Sequence, residues 1–292
     1  MLGFEVLEAG LYSVLQDLGR YGYAHLGVTN GGAMDEYAYR WSQKLLDNKD
    51  ANAIEVLLAG LKLKATQETE VAVCGADLGF CINGLEQDIW CTHHIQKGDL
   101  LSFEKQHSGL RAYLAVKGGF EVEKMQGSYA YSKKEHKGMK LEKGLLLAFQ
   151  PYTIKMSRRV AKQYIAQYGE TLTLNILLQA NLPTSFLNQT YTLTTHISPM
   201  GYKLEGKKID HGEDGIISEG IPFGAVQVPP DGQPIILLKE RQTIGGYPNM
   251  GTVLAKDCFA LAQLPIGSEV TFKAMSIEKA QEEMKDFYNF FT

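Results

Sequence analysis

Short apolar runs cut by turn residues constrain this chain more than any other feature. In the first half these runs are Ile54-Glu55-Val56-Leu57-Leu58, Val71-Ala72-Val73-Cys74, Leu100-Leu101-Ser102-Phe103 and residues 111–117. Between or after them stand Gly60, Gly75, Asn83-Gly84, Lys97-Gly98-Asp99 and Gly118-Gly119. The second half repeats the pattern at 172–178, 191–196, 234–238, 253–254 and 270–272. Runs this short, rich in β-branched and aliphatic residues, read as strands. Turn signals every ~8–12 residues predict a barrel or a sandwich. Asn83-Gly84 is a two-residue hairpin signal, because both residues tolerate positive φ.

Two helices interrupt the β pattern. Met34, Tyr37, Ala38, Trp41 and Leu45 share one face of a helix over 34–46, with Asp35 in its first turn and Asn48 after its end. Near the C-terminus Ser276 is placed to cap a helix whose face carries Ile277, Ala280, Met284 and Phe287. The halves also echo each other. Ala53-Ile54-Glu55-Val56 leads to Lys97-Gly98-Asp99 and Phe103, as Ala225-Val226-Gln227-Val228 leads to Ile266-Gly267-Ser268 and Phe272. A chain of 292 residues is long enough for two domains of ~100–150 residues. The expected fold is mainly β with a few helices, in a domain over 1–155 and a second over 170–292 that ends in the helix.

Residues 218–251 are the hardest to explain as plain packing. Pro229-Pro230-Asp231-Gly232 is a turn with a cause, since proline fixes φ and glycine accepts φ > 0. A buried-type strand, Pro234 to Leu238, then runs straight into Lys239-Glu240-Arg241-Gln242-Thr243. Polar groups in a row at the end of a core strand are costly unless they face a cleft or solvent. Gly245-Gly246 and Tyr247-Pro248 follow, and paired glycines let a ligand or another backbone approach closely. The alternative is a hairpin with an exposed charged end.

Near the N-terminus, Gln16, Asp17 and Arg20 bring an amide, an acid and a guanidinium into a glycine-bearing loop. Arginine is the side chain best shaped to hold a carboxylate or phosphate through two bonds. An internal Asp17–Arg20 pair that fixes the loop accounts for the same residues. Residues 126–144, with Lys133, Lys134, Lys137 and Lys140, read as a mobile surface loop or a lid.

Composition excludes several classes. A net charge of −4 gives no electrostatic reason to bind nucleic acid or an anionic membrane. There is no basic n-region followed by an apolar h-region, and no apolar run approaches the ~20 residues that span a bilayer. A cytoplasmic protein is therefore expected. Cys74, Cys81, Cys91 and Cys258 show no CxxC spacing and read as structural thiols. His93 and His94 are adjacent, so on a strand they point to opposite faces, and no metal site is expected.

Five motifs, taken together in order, resemble the allophanate hydrolase subunit 2 family, also called the biotin-dependent carboxyltransferase A/B-subdomain family. They are Gln16-Asp17-Leu18-Gly19-Arg20 with Gly22; Gly31 to Asp35; Gly201-Tyr202-Lys203-Leu204 with Gly206; Gln227-Val228-Pro229-Pro230 with Gly232-Gln233-Pro234; and Gln242-Thr243 with Gly245-Gly246-Tyr247-Pro248. The family includes the C-subunit of bacterial 5-oxoprolinase. The resemblance implies two cyclophilin-like β-barrel domains. It implies partners as well: an allophanate hydrolase subunit 1-like protein and a third, LamB/YcsF-like subunit.

Three roles follow from the resemblance. One is the ATP-dependent opening of 5-oxoproline to glutamate. Another is carboxyl transfer from carboxybiotin in a urea- or allophanate-type system. The last is non-catalytic regulation by binding a kinase-inhibitor protein. This chain has no biotin-attachment Met-Lys-Met and no P-loop, so ATP or carboxybiotin chemistry needs partner subunits, and a biotin on this chain is not expected. The first role is the preferred one, with a small carboxylate or lactam as substrate.

Asp17, Arg20, Glu240 and Arg241 are the candidate catalytic groups. Gln16, Lys203, Gln227, Gln242, Thr243, Gly245, Gly246 and Tyr247 are the candidate substrate-binding positions. The sequence also departs from the family pattern. Tyr129 stands in Gly127-Ser128-Tyr129-Ala130-Tyr131 where relatives commonly carry an arginine, and Lys203, Glu240 and Ile244 replace the usual arginine, aspartate and second threonine.

Overall fold

A computed structural model describes residues 2–153, 157–179, 184–210 and 218–292. Residue 155, the expected end of the first domain, lies outside them. The chain forms two compact units. The first contains residues 1–20 and 35–168, and the second contains 21–34 and 169–292. The fold is mainly β, with three α-helices among the described residues.

The first unit is built from two sheets. One has six strands in the order Leu146–Ala148, Gly3–Ala9, Leu61–Ala65, Leu100–Phe103, Phe80–Ile82 and Leu85–Glu86. The other has five, in the order Tyr12–Gln16, Ala53–Leu57, Ser108–Val116, Thr69–Asp77 and Cys91–Ile95. Alternate residues of both sheets fill one core. Phe4, Val6, Leu61, Leu63, Leu101 and Phe103 come from the first sheet, and Leu15, Ile54, Val56, Val71, Val73, Leu114 and Val116 from the second. Asn83 and Gly84 take φ values of 53° and 77° between Ile82 and Leu85, as the hairpin signal requires.

The first helix runs from Glu36 to Leu45 and packs against the Thr69–Asp77 and Ser108–Val116 strands. It starts two residues later than the apolar spacing suggests, because Asp35 is its N-cap and accepts a hydrogen bond from the Ala38 N–H at 3.1 Å. Asn48 secures the other end, bonding the Gln43 side chain and the Val116 carbonyl. The 126–144 segment is not a free loop. Ser128, Ala130, Ser132 and Leu141 are buried in it, and its backbone bonds to Leu15 and Ser13.

The second unit contains a closed seven-stranded barrel. Around it the order is Thr171–Leu178, Asn249–Val253, Ala225–Gln227, Ile235–Leu237, Gly201–Glu205, Tyr191–Ser198 and Glu269–Ala274. Closure removes sheet edges, and here it is made by the parallel pairing of Thr171–Leu178 with Glu269–Ala274. Leu174, Ile176, Tyr202, Leu204, Val226, Ile236 and Phe272 belong to its core. A helix over Ala255–Leu261 was not visible in the sequence pattern. The C-terminal helix, Ile277–Phe291, is capped by Ser276, which accepts from the Lys279 N–H at 3.3 Å. Of its expected apolar face, Ala280 is buried and Phe287 reaches the Phe259 ring at 5.7 Å.

Candidate functional site

In the first unit, the strand Tyr12–Gln16 delivers Gln16, Asp17 and Arg20 onto the 128–131 segment. Asp17 Oδ1 accepts from the Gly19 N–H at 2.8 Å and the Ser128 hydroxyl at 2.7 Å, and Oδ2 accepts from the Tyr129 N–H at 2.8 Å. Both carboxylate oxygens are thus occupied, which suits a clip more than a proton carrier. The Arg20 guanidinium donates to the Ala130 carbonyl and is only 2% exposed. The buried Gln16 amide donates to the Tyr131 carbonyl at 3.4 Å, while its Oε1 has no hydrogen-bond partner among the described residues. So the Gln16-Asp17-Leu18-Gly19-Arg20 motif holds Ser128-Tyr129-Ala130-Tyr131, a partnership across more than a hundred residues that no local signal announces. Lys124 places its ammonium 5.0 Å from the centre of the Tyr129 ring. A cation therefore stands beside Tyr129, in a pocket of about 530 Å3 that Lys137 also lines.

A buried polar network in the same unit escaped the sequence reading. The Tyr113 hydroxyl donates to Glu55 at 2.7 Å and accepts from the Asp35 N–H at 2.8 Å, and Arg111 lies 3.6 Å from Glu55. Burial pushes the Tyr113 hydroxyl well above its ordinary range, helped by Glu55. In sequence Glu55, Arg111 and Tyr113 alternate with core residues on two strands, so they looked like ordinary strand positions.

In the second unit the core strand Ile235–Leu237 ends as the polar run begins. Lys239 is 5% exposed, with its ammonium 4.9 Å from the Phe223 ring centre and 5.3 Å from that of Phe259. Arg241 is half-buried. Its Nε donates to the Ile221 carbonyl at 2.9 Å, Nη1 to the Leu238 carbonyl at 3.3 Å and Nη2 to Asn30 Oδ1 at 3.1 Å. All three acceptors are neutral, and among the described residues the guanidinium has no carboxylate partner. Burial pulls its pKa below the ordinary arginine range, with Tyr21 and Cys258 opposing. Asn30 was part of the N-terminal loop in sequence; the Gly31 N–H also donates to the Lys239 carbonyl at 3.0 Å, so that loop braces the polar run.

The remaining candidates divide by exposure. Gln242 is exposed, Tyr247 is 47% exposed, and Glu240 and Thr243 are half-buried. The Thr243 carbonyl accepts from the Ile221 N–H at 3.1 Å. Gln227 is buried, and its carboxamide packs on Gly245. A Cβ added at Gly245 would lie 3.0 Å from Gln227 Nε2 and 2.6 Å from Ile221 Cδ1. The close approach foreseen at the glycine pair is therefore made by this amide. Lys203 is elsewhere engaged. Its ammonium pairs with Asp231 in the Pro229–Gly232 turn, holding the Asp231 carboxyl below its usual range. All four cysteines are free and buried, and burial raises the Cys258 thiol. Among the described residues no helix is long and apolar enough to cross a membrane.

The second unit thus combines a closed barrel with a half-buried guanidinium and a buried amide packed on a glycine pair. A family model described as "Carboxyltransferase domain, subdomain A and B" matches residues 26–274, and the chain belongs to that family. The C-subunit of 5-oxoprolinase from Escherichia coli (strain K12) is 31% identical over 305 residues, covering 98% of this chain and 96% of that protein. The urea amidolyase of Saccharomyces cerevisiae is 25% identical over 95% of this chain, but only 17% of that protein is matched. Among solved structures, TTHA0988 superposes with a TM-score of 0.86 at 27% identity, covering 94% of this chain and 55% of the other. This chain thus spans about half of TTHA0988 and a small part of the yeast protein.

Proposed function

We propose that this chain is a subunit of an ATP-dependent 5-oxoprolinase, opening 5-oxoproline to glutamate together with an allophanate hydrolase subunit 1-like partner and a third, LamB/YcsF-like subunit. The observation that carries this reading is Arg241, a half-buried guanidinium held, among the described residues, by neutral acceptors. A buried cation without an acid is costly, and an anionic ligand offsets that cost. The 5-oxoproline carboxylate has the charge and planarity to pair with it. Gln242, Thr243 and Tyr247 stand next to Arg241 in the chain and are exposed or half-buried, so they can orient the ring. The likeness to the 5-oxoprolinase C-subunit over nearly the full length of both chains supports the same reading.

ATP activation of the lactam oxygen supplies the electrophile. In this proposal the nucleotide binds outside this chain. Its first helix carries Asp35 and Glu36 at the N-terminus, so negative charge fills the place where a phosphate binds. Nucleotide binding is assigned to the partners, and the role of this chain is to bind and orient the substrate anion. Asp17 and Arg20 act in this proposal by fixing the 128–131 segment, and Lys203 and Gln227 by fixing the barrel rim. Glu240 remains the candidate acid or base beside Arg241.

The test is ATP-dependent glutamate formation by the reconstituted complex with Arg241→Ala and with Gln242→Ala. Loss of turnover in either supports the assignment; unchanged turnover in both defeats it. The family match and the urea amidolyase relative favour carboxyl transfer as a second reading. Turnover that required a biotinylated partner and urea, and not 5-oxoproline, would select it. A stable complex with a kinase-inhibitor protein and no turnover would select the regulatory role.

A further inference from the structure

A cation site is assembled in the first unit, away from the residues discussed so far. Asp77 ends the strand Thr69–Asp77, Glu86 lies on the short strand Leu85–Glu86, and His107 immediately precedes the strand Ser108–Val116. The backbone brings them together. The His107 N–H donates to the Asp77 carbonyl at 2.8 Å, Ser108 pairs with Asp77, and Glu86 pairs with Cys81 in the hairpin. One ligand atom from each of Asp77, Glu86 and His107 lies within 4.8 Å of the other two.

Further features of the cluster suit an occupant. Two carboxylates so close repel each other unless a positive charge stands between them. Among the described residues neither the Glu86 carboxylate nor the His107 imidazole has a hydrogen-bond or ion-pair partner, so both are free to turn inward. Asp77 is already oriented, because its Oδ1 accepts from the Gly79 N–H at 3.1 Å. Gly79, at φ +63°, packs against this corner: an added Cβ would lie 3.1 Å from the Lys105 carbonyl and 3.4 Å, an ordinary contact, from His107 Nε2. Asp77 and Glu86 also line a groove of about 630 Å3, walled by Trp90 and Tyr168 and carrying Ser108 and the Arg159–Asp88 pair.

We propose that Asp77, Glu86 and His107 bind one divalent transition-metal cation, with zinc or manganese the best match, beside this groove. One imidazole and two carboxylates form a borderline-to-hard donor set that suits these ions. Bonds of ~2.0–2.2 Å place ligand atoms roughly 3–3.5 Å apart, so the side chains close by about an ångström on binding. Three protein ligands leave a coordination position for a small oxygen ligand.

Isothermal titration of the full chain with zinc ion alone tests this, with His107→Gln and Glu86→Gln as variants and His93→Gln as control. Both altered side chains are exposed, so folding is expected to survive; a circular dichroism spectrum checks it. The expected result is one zinc per chain, bound at least tenfold more weakly by each variant and unchanged in the control. Cobalt(II) in place of zinc is expected to show no thiolate charge-transfer band. Absence of zinc binding to the native chain, affinity in the variants equal to that of the native chain, or a thiolate band that places the metal on a cysteine would overturn the proposal.

Discussion

Each unit buries an arginine against backbone carbonyls, and the two arginines differ in what they leave accessible. Arg20 is 2% exposed, donates to the Ala130 carbonyl and sits three residues from Asp17, whose carboxylate ties down the same segment. Arg241 is half-buried, bonds two carbonyls and an amide, and is followed by exposed Gln242 and Tyr247. The first arrangement is a staple that closes a loop. The second is a half-buried cation held by neutral acceptors among the described residues, which we propose an anion reaches. An identical residue type next to a glycine-bearing turn therefore carries two different physical meanings, and only burial and partners tell them apart.

The sharpest way to break this comparison is to remove each guanidinium in turn. Arg241→Ala is expected to lower glutamate formation by the reconstituted complex by roughly 100-fold, the scale seen when one charge-stabilising donor is lost. Arg241→Lys is expected to recover the thermal midpoint but not the turnover, because an ammonium cannot reproduce the fork. Arg20→Ala is expected to act on folding, costing about 3 kcal/mol in urea unfolding, with turnover per folded molecule kept. If Arg20→Ala instead abolished turnover in a fully folded chain, the two corners would be alike and the distinction would fail.

Smaller effects sharpen the staple. Asp17→Asn keeps the shape but weakens three charge-assisted bonds, and about 2 kcal/mol of stability should be lost. Gly245→Ala pushes on Ile221 and on the Gln227 amide, and should cost about 1–2 kcal/mol by denaturant midpoint. At the surface, Lys203→Ala should cost no more than about 0.5 kcal/mol, since both partners are solvent-screened. The pair has a sign that can be checked. Lys203 holds the Asp231 pKa below its unfolded value, so this contribution is present above the unfolded aspartate pKa of ~3.9 and lost as pH falls through the lower folded value. Lys203→Ala should therefore flatten the acid limb of the stability curve slightly.

Asp257 has the opposite sign. Burial raises it, while the N–H and amide of Asn175 work against the rise. Its contribution favours folding below about pH 4 and is lost as pH climbs through the raised folded value. Asp257→Asn, measured by thermal unfolding, should make stability less pH-dependent just above pH 4; an unchanged slope would contradict this cause.

Much of the β architecture is legible in the sequence because its signals are local. The strand Leu100–Phe103 falls where the apolar run does, Asn83-Gly84 makes the turn its residues require, and Ser276 caps the last helix. What was hidden depends on distant partners. Nothing near Asp17 names Ser128 and Tyr129, and nothing near Arg241 names Asn30. The Ala255–Leu261 helix is only seven residues long and lacks a side-chain cap, so neither period nor punctuation marks it. Residues 126–144 read as a charged loop because their lysines outnumber the small buried residues, Ser128, Ala130 and Ser132, that anchor it.

The central claim is that Arg241 receives an anion. The most direct measurement is calorimetric affinity of the reconstituted complex for 5-oxoproline, comparing the native chain with Arg241→Gln, a change that removes the charge but keeps hydrogen-bond donors. The account predicts binding at least tenfold weaker in the variant. Equal affinity in both would contradict it.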